Sequence, residues 1–540
     1  MIKRAILATI LAVSAAAAAD SKPSAKKPSG KSSAGHRLEA DDLPGPQPEV
    51  AKETAKVDLP AIPAFDLPTS EPGVHSPREL RVRGQRALGT EVQVNGYVTW
   101  IYSCAETLAA SNRNASQAQI AAAIQKDPTL CDRPKFSLGD TKGTSREASL
   151  WVVDVPRPPT KAELGARKKS DVAWPEVPRV ALGDYVAVTG TWALYSPHAE
   201  HNTSGLLVYK SLEHPPPPQP TPAAKESATP AEPEIDVVTK APMRAPVSES
   251  ARNSSVDQLN ACNKANAARQ FEAAITACQA AIAAWAGNHL AWYALASAHM
   301  ARNEWQKARD GVEHAVKLRP DVAMYQLYYG ISLYEAERER VRDEQARRDN
   351  KKPDEVTVAP GLLKLDAARD ALRRAVKRGP DLWRAHYYLG RVYRDLDDAR
   401  REAEQFSATI TTHPSYRFGY IALVELYRRW TYDDQALAVA QLGTANVPAA
   451  ESPELWFEVG MAYDAKREDD KAIEAFGKAI AGKPGDLSSK FQRGQIYFRK
   501  GDFANARRDL DEVAKSGDPS IAGVKPLASQ MLGQIARKQH

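Results

Sequence analysis

The sequence predicts a multidomain chain, an all-β barrel followed by an all-α solenoid of antiparallel helix pairs. Three observations carry that prediction. Apolar residues alternate with a period of two between about Leu80 and Glu213, prolines crowd the stretch after His214, and from Ser255 onward a helical pattern repeats itself. At 540 residues the chain exceeds what one hydrophobic core supports. Its formal charge of +6, from 73 basic and 67 acidic side chains that are interleaved almost everywhere, implies no polyanion partner by itself.

The N-terminus comes first. Lys3 and Arg4 precede the apolar run Ala5–Val13, which an alanine-rich tail closes at Ala19. A basic start, an apolar run too short to span a bilayer and small residues at Ala17 and Ala19 describe a cleavable signal peptide over 1–19. The mature chain is therefore expected to be periplasmic or secreted, with no membrane span. Residues 20–78, rich in Lys, Ser, Ala and Pro, hold too little apolar surface to fold alone and read as a disordered linker. The four cysteines suit an oxidising compartment and fall into two local pairs, Cys104 with Cys131 and Cys262 with Cys278. Small buried thiols are the alternative.

Residues 79–213 carry the β pattern. Val92, Val94, Val98 and Trp100 form one run, and Leu150–Val155, Tyr185–Trp192 and Leu206–Leu212 form others. Gly96 and Gly190 lie inside strands, where small barrels bend. With Phe136–Asp140 and Leu182–Val186, these runs resemble the OB-fold, a five-stranded Greek-key barrel. One alanine-rich helix, Glu106–Gln125, is expected as an insertion that a Cys104–Cys131 disulfide closes. Trp100, Tyr102, Trp151 and Trp192 could stack bases, which makes a nucleic-acid-binding barrel one alternative function and an enzyme with a site in the barrel loops another. Export and modest local charge argue against nucleic acid. His198-Ala199-Glu200-His201 falls in a loop, without the helical spacing of a metal pair, so no metal is expected. No catalytic frame is recognisable, and neither a catalytic residue nor a cofactor is expected.

Residues 214–254 open with Pro215–Pro218 and form a semi-stiff linker. Beyond it, over 255–540, prolines fall at Pro320, Pro380, Pro414, Pro448, Pro484 and Pro519, and Gly330, Gly390, Gly460 and Gly494 keep the same register. One unit reads Trp456, Val459-Gly460, Tyr463, Ala472, Phe476, Ala479 and Pro484. Another reads Leu389-Gly390, Tyr393, Phe406 and Pro414, with Glu402 where a small residue is usual. The pattern resembles the tetratricopeptide repeat, in which each unit is two antiparallel helices and no unit buries its own faces. About seven units and a capping helix are expected, with an insertion near 335–361 read as a solvated helix extension plus a loop. Within that insertion Glu335–Arg338, Glu339–Arg342 and Glu344–Arg348 are expected to pair. The resemblance places Cys262 and Cys278 on facing helices, where a disulfide would staple the first unit.

In this family the first helix of each unit lines a concave groove that holds a protein or peptide. By register, the resemblance assigns the groove to Tyr293, Leu327, Tyr334, Arg384, Tyr387, Arg391, Arg394, Ile421, Arg428, Phe457 and Phe491. The arginines are expected to have no core role and so to meet acidic groups of a partner. The Asn and Lys set by which some family members clamp a terminal carboxylate is not reproduced. The expected function is an exported interaction scaffold, an adaptor in assembly of an envelope complex, that is not an enzyme.

Overall fold

A computed structural model describes residues 57–67, 73–111, 115–127, 130–146, 148–157, 176–197, 201–218, 232, 234–235, 247–356, 358 and 360–539. The signal peptide, most of both linkers and His198–Glu200 of the candidate metal loop lie outside them. The chain divides into two compact units, one built around strands and one around helices. None of the described helices is long and apolar enough to cross a membrane.

The strand unit is a closed five-stranded barrel. The long β2 (Glu91–Ile101) pairs antiparallel with both β3 (Phe136–Gly139) and β5 (Tyr185–Tyr195). β4 (Leu150–Val153) pairs with β3, and β6 (His201–Glu213) closes the ring, parallel to β4 and antiparallel to β5. A two-residue β1 (Val74–His75) adds to β2, and a short α1 (Pro77–Arg83) follows it. The alternation read from the sequence is the burial pattern of β2, whose Val92, Val94 and Val98 meet Leu138, Val152, Val188 and Leu207 in the core. Gly190 is required by close approach, because a Cβ there would stand 2.3 Å from the Val208 carbonyl oxygen. The ladder shifts register beside it, which gives the bend that closure needs.

The insertion after β2 differs from expectation. Two helices stand in place of one, α2 (Cys104–Ser111) and α3 (Gln117–Lys126). The Ser116 hydroxyl accepts from the Gln119 N–H while the Gln119 side chain accepts from the Ser116 N–H, a capping box that starts a new helix. The Cys104–Cys131 disulfide closes the loop, with Cα atoms 5.3 Å apart.

The helical unit stacks seven pairs: α4 (Glu249–Ala267) with α5 (Phe271–Ala284), α6 (His289–Ala301) with α7 (Trp305–Leu318), α8 (Ala323–Arg348) with α9 (Asp366–Arg378), and α10 (Trp383–Leu396) with α11 (Ala399–Thr412). Then come α12 (Arg417–Arg429) with α13 (Asp433–Asn446), α14 (Pro453–Ala465) with α15 (Asp469–Gly482), and α16 (Leu487–Lys500) with α17 (Phe503–Lys515). α18 (Lys525–Gln539) follows and buries Ala528, Met531 and Ile535 against the last pair. The repeating glycines sit where helices touch. A Cβ on Gly390 or Gly460 would lie 2.6 or 2.7 Å from the ring of Phe406 or Phe476. The turn inside a pair also repeats. Arg269, Asn303, Asp397, Thr431, Arg467 and Gly501 all adopt positive φ, and only the last is glycine. The second disulfide, Cys262–Cys278, joins α4 to α5.

The insertion lengthens α8 to 26 residues, as expected, but is not merely solvated. Val341 and Ala346 are buried on the extension, and Val358, Leu363 and Leu365 of the following loop are buried too. The Lys364 N–H donates to Glu337 at 2.8 Å and ties the loop to the helix.

Candidate binding groove

The structure sorts the groove residues into two groups. Leu327, Tyr334, Arg384, Tyr387 and Phe491 are buried, none more than 8% exposed. Their burial corrects their assignment to a ligand surface: a large side chain on a first helix is drawn into the core, as Phe491 is against Ala506, Leu510 and Val513 of its own pair. Tyr387, for instance, lies among Tyr388, Phe406 and Tyr416. Tyr293, Arg391, Arg394, Ile421, Arg428 and Phe457 are half-buried.

Two of those arginines have structural work, against the expectation that they had none. Arg391 on α10 donates to Glu335 of α8 at 2.9 Å and lies over the rings of Tyr334 and Tyr388. Burial works against its charge, and the neighbouring Tyr334 and Glu335 outweigh that and strengthen its hold on the proton. Arg394 donates to Glu402 on α11 at 2.8 Å, to Glu425 on α12 at 3.2 Å and to the Ala422 carbonyl. Arg384 is 7% exposed and stacks over Trp383. Arg391 and Arg394 together tie three consecutive pairs to one another.

The acidic partners were missed as site residues. Arg338 pairs with Asp395 at 2.6 Å, not with Glu335, and the Tyr334 hydroxyl donates to the same carboxylate at 2.7 Å. Burial pushes the Tyr334 hydroxyl well up, so it stays protonated as a donor. Arg340 bridges Glu337 and Glu344. A sequence signal existed for one of these. Glu402 occupies the repeat's small-residue position, and a carboxylate there needs a cation beside it.

Apart from the arginines, the assigned residues that keep part of their surface are aromatic or aliphatic. Tyr293 on α6, Ile421 on α12 and Phe457 on α14 keep part of their surface at one register of the first helices, with Met461 and Phe498 half-buried further along. Among the described residues no group of His, Cys, Asp and Glu could hold a metal ion. In the barrel, Trp192 is core at 1% exposure, while Trp100 is half-buried beneath the Arg146 guanidinium at 3.8 Å.

Models of the tetratricopeptide repeat match residues 265–313, 361–416 and 453–484. Tetratricopeptide repeat protein 37 of Xenopus laevis is 23% identical over 235 residues, 43% of this chain. The match spans only 14% of that relative's length. Among solved structures, a tetratricopeptide repeat protein from Parabacteroides merdae aligns at TM-score 0.35 and 11% identity, covering 53% of this chain and 99% of that one. YrrB, described as a TPR protein with an unusual peptide-binding site, aligns at TM-score 0.29 and 17% identity, covering 39% of this chain and 95% of that one.

Proposed function

We propose that this tetratricopeptide-repeat chain is an exported scaffold that holds a protein or peptide partner along the first helices of its solenoid. Proteins built from this repeat bind protein or peptide partners, and their usual role is scaffolding without catalysis. The observation that carries the reading is Ile421 and Phe457, partly exposed at one register of adjacent pairs while the neighbouring Arg391 and Arg394 are engaged within the fold. Two such side chains in adjacent pairs suit a segment anchored by apolar groups at repeat spacing, with surrounding polar groups setting orientation. The basic, signal-like start at Lys3 and Arg4 supports export in this reading, and the role we propose for the exported scaffold is assembly of an envelope complex.

A photo-crosslinking side chain at Phe457 should capture a partner in envelope extract, whereas one at the exposed Glu474 on α15 should not. Equal capture from both positions, or none from Phe457, would remove the groove. Export has its own readout: the protein recovered from its compartment should begin at Asp20, and an intact Met1 end would refute cleavage.

A further inference from the structure

A carboxylate site apart from the groove residues lies across α9, α10 and α11. Glu232, in the proline-rich linker, reaches a basic cluster on α9, α10 and α11. The Tyr393 hydroxyl donates to it at 2.7 Å, and Arg373 Nε lies 2.9 Å away. Arg369 and Arg401 stand at 3.7 and 4.0 Å. Two residues on, Glu234 accepts from Lys377 at 3.1 Å, and the same ammonium donates to the Ile235 carbonyl at 3.2 Å. Arg369, Arg373 and Lys377 are spaced by four along one face of α9, and Glu232 and Glu234 meet successive members of that row at Arg373 and Lys377.

This is a built site. Tyr393 is 3% exposed, and the side chains of Arg373, Arg401 and Glu232 are each below a fifth exposed. Arg369 and Arg401 also hold acids of their own helices, Asp366, Asp370 and Asp398, which fixes the guanidinium planes around the linker carboxylate. A planar fork and a phenol directed at one carboxylate favour glutamate over a neutral side chain.

We propose that Arg369, Arg373, Tyr393, Lys377 and Arg401 form a second peptide site, specific for an acidic Glu-Pro-Glu segment and filled in cis by Glu232 and Glu234. A partner carrying such a segment binds there only by displacing the linker. The site draws on α9, α10 and α11 and shares none of its residues with the first-helix groove. Its tether is short, with Glu249, the first residue of α4, following Glu232 by 17 positions. A tether of that kind presents the linker at about 1 mM effective concentration, so a peptide with a dissociation constant of roughly 100 µM is weakened about tenfold by the occupant.

The test uses a fluorescent peptide of residues 230–236, Pro-Ala-Glu-Pro-Glu-Ile-Asp, and the mature full-length protein. By anisotropy, the Glu232→Gln/Glu234→Gln protein should bind it about tenfold more tightly than the parent. The same peptide with both glutamates replaced by glutamine should lose at least tenfold, and Tyr393→Phe in the emptied protein should weaken the acidic peptide. Equal binding by parent and emptied protein, or indifference to the peptide's glutamates, would overturn the proposal. Changing the probe and not only the protein keeps misfolding from imitating either result.

Discussion

Arg394 on α10 and Glu402 on α11 meet at 2.8 Å, and the Glu402 side chain is fully buried at 0% exposure. The carboxylate occupies the position where the repeat has a small residue. Its negative charge is sustained inside the pair because the guanidinium reaches it from the first helix and then continues to Glu425 and Ala422 of the next pair. One side chain thereby joins the two helices of a unit to the unit that follows.

Removing the cation alone should therefore be costly. Arg394→Ala takes the guanidinium away from a buried carboxylate, worth about 3 kcal/mol as a loss of solenoid stability in urea followed by helical signal. Arg394→Ala/Glu402→Ala restores the small residue and should recover at least about 1 kcal/mol of that. A double variant no more stable than the single one would show that Glu402 does not depend on Arg394.

Glu304, just ahead of α7, gives a pH signature. Its burial favours the neutral acid, but hydrogen bonds from His299, Arg302 and Lys307 outweigh it and push the carboxyl down to about 2. A carboxyl lowered in the folded state stabilises above its ordinary value near 4.5, and that stability is lost as pH falls from there toward 2. Its side chain is 24% exposed, so solvent screening brings the contribution to on the order of 1–2 kcal/mol. The stability gap between parent and Glu304→Gln should be narrower at pH 3 than at pH 5. A gap unchanged at pH 3 would mean that charge is not its source.

The disulfide Cys262–Cys278 spans 16 positions, and closing a loop of that size is worth about 3 kcal/mol in the chain-entropy account. Repeats feel only their neighbours. Cys262→Ala/Cys278→Ala should thus lower hydrogen-exchange protection in α4 and α5 and leave α14–α17 unchanged. Uniform loss along the array would show that it unfolds as one cooperative block.

The parts of the fold that were legible in sequence are those with a period. Gly390 beneath Phe406 and Gly460 beneath Phe476 recur because each pair makes the same close approach, and alternation in β2 follows from its two faces. The capping box at Ser116 was also present in the residues and splits the insertion into two helices. The arginines were misread for a different reason. Arg391 finds Glu335 at a separation of 56 positions and Arg338 finds Asp395 at 57, so no local spacing announces either pair. A charged residue on a helix looks solvent-facing until the neighbouring pair is placed against it.

That distinction decides where ligand contacts should be sought. Ile421→Glu and Phe457→Ala change side chains that keep exposed surface, and Phe457 touches its own pair mainly through Phe476. Together they should weaken the partner captured by crosslinking by about 30-fold, the scale of a 2 kcal/mol anchor. Their cost to stability should stay near 1 kcal/mol, as expected for partly solvated positions. Arg391→Glu should do the reverse within the free protein, because it sets a second acid against Glu335 and lowers the melting temperature of the solenoid. Salt separates the two modes: binding through the apolar row should hold from about 50 to 500 mM, whereas binding through exposed ion pairs falls as screening rises. Tight binding retained by a well-folded Ile421→Glu/Phe457→Ala protein would take the groove reading away and leave the carboxylate site of α9, α10 and α11 as the place to look.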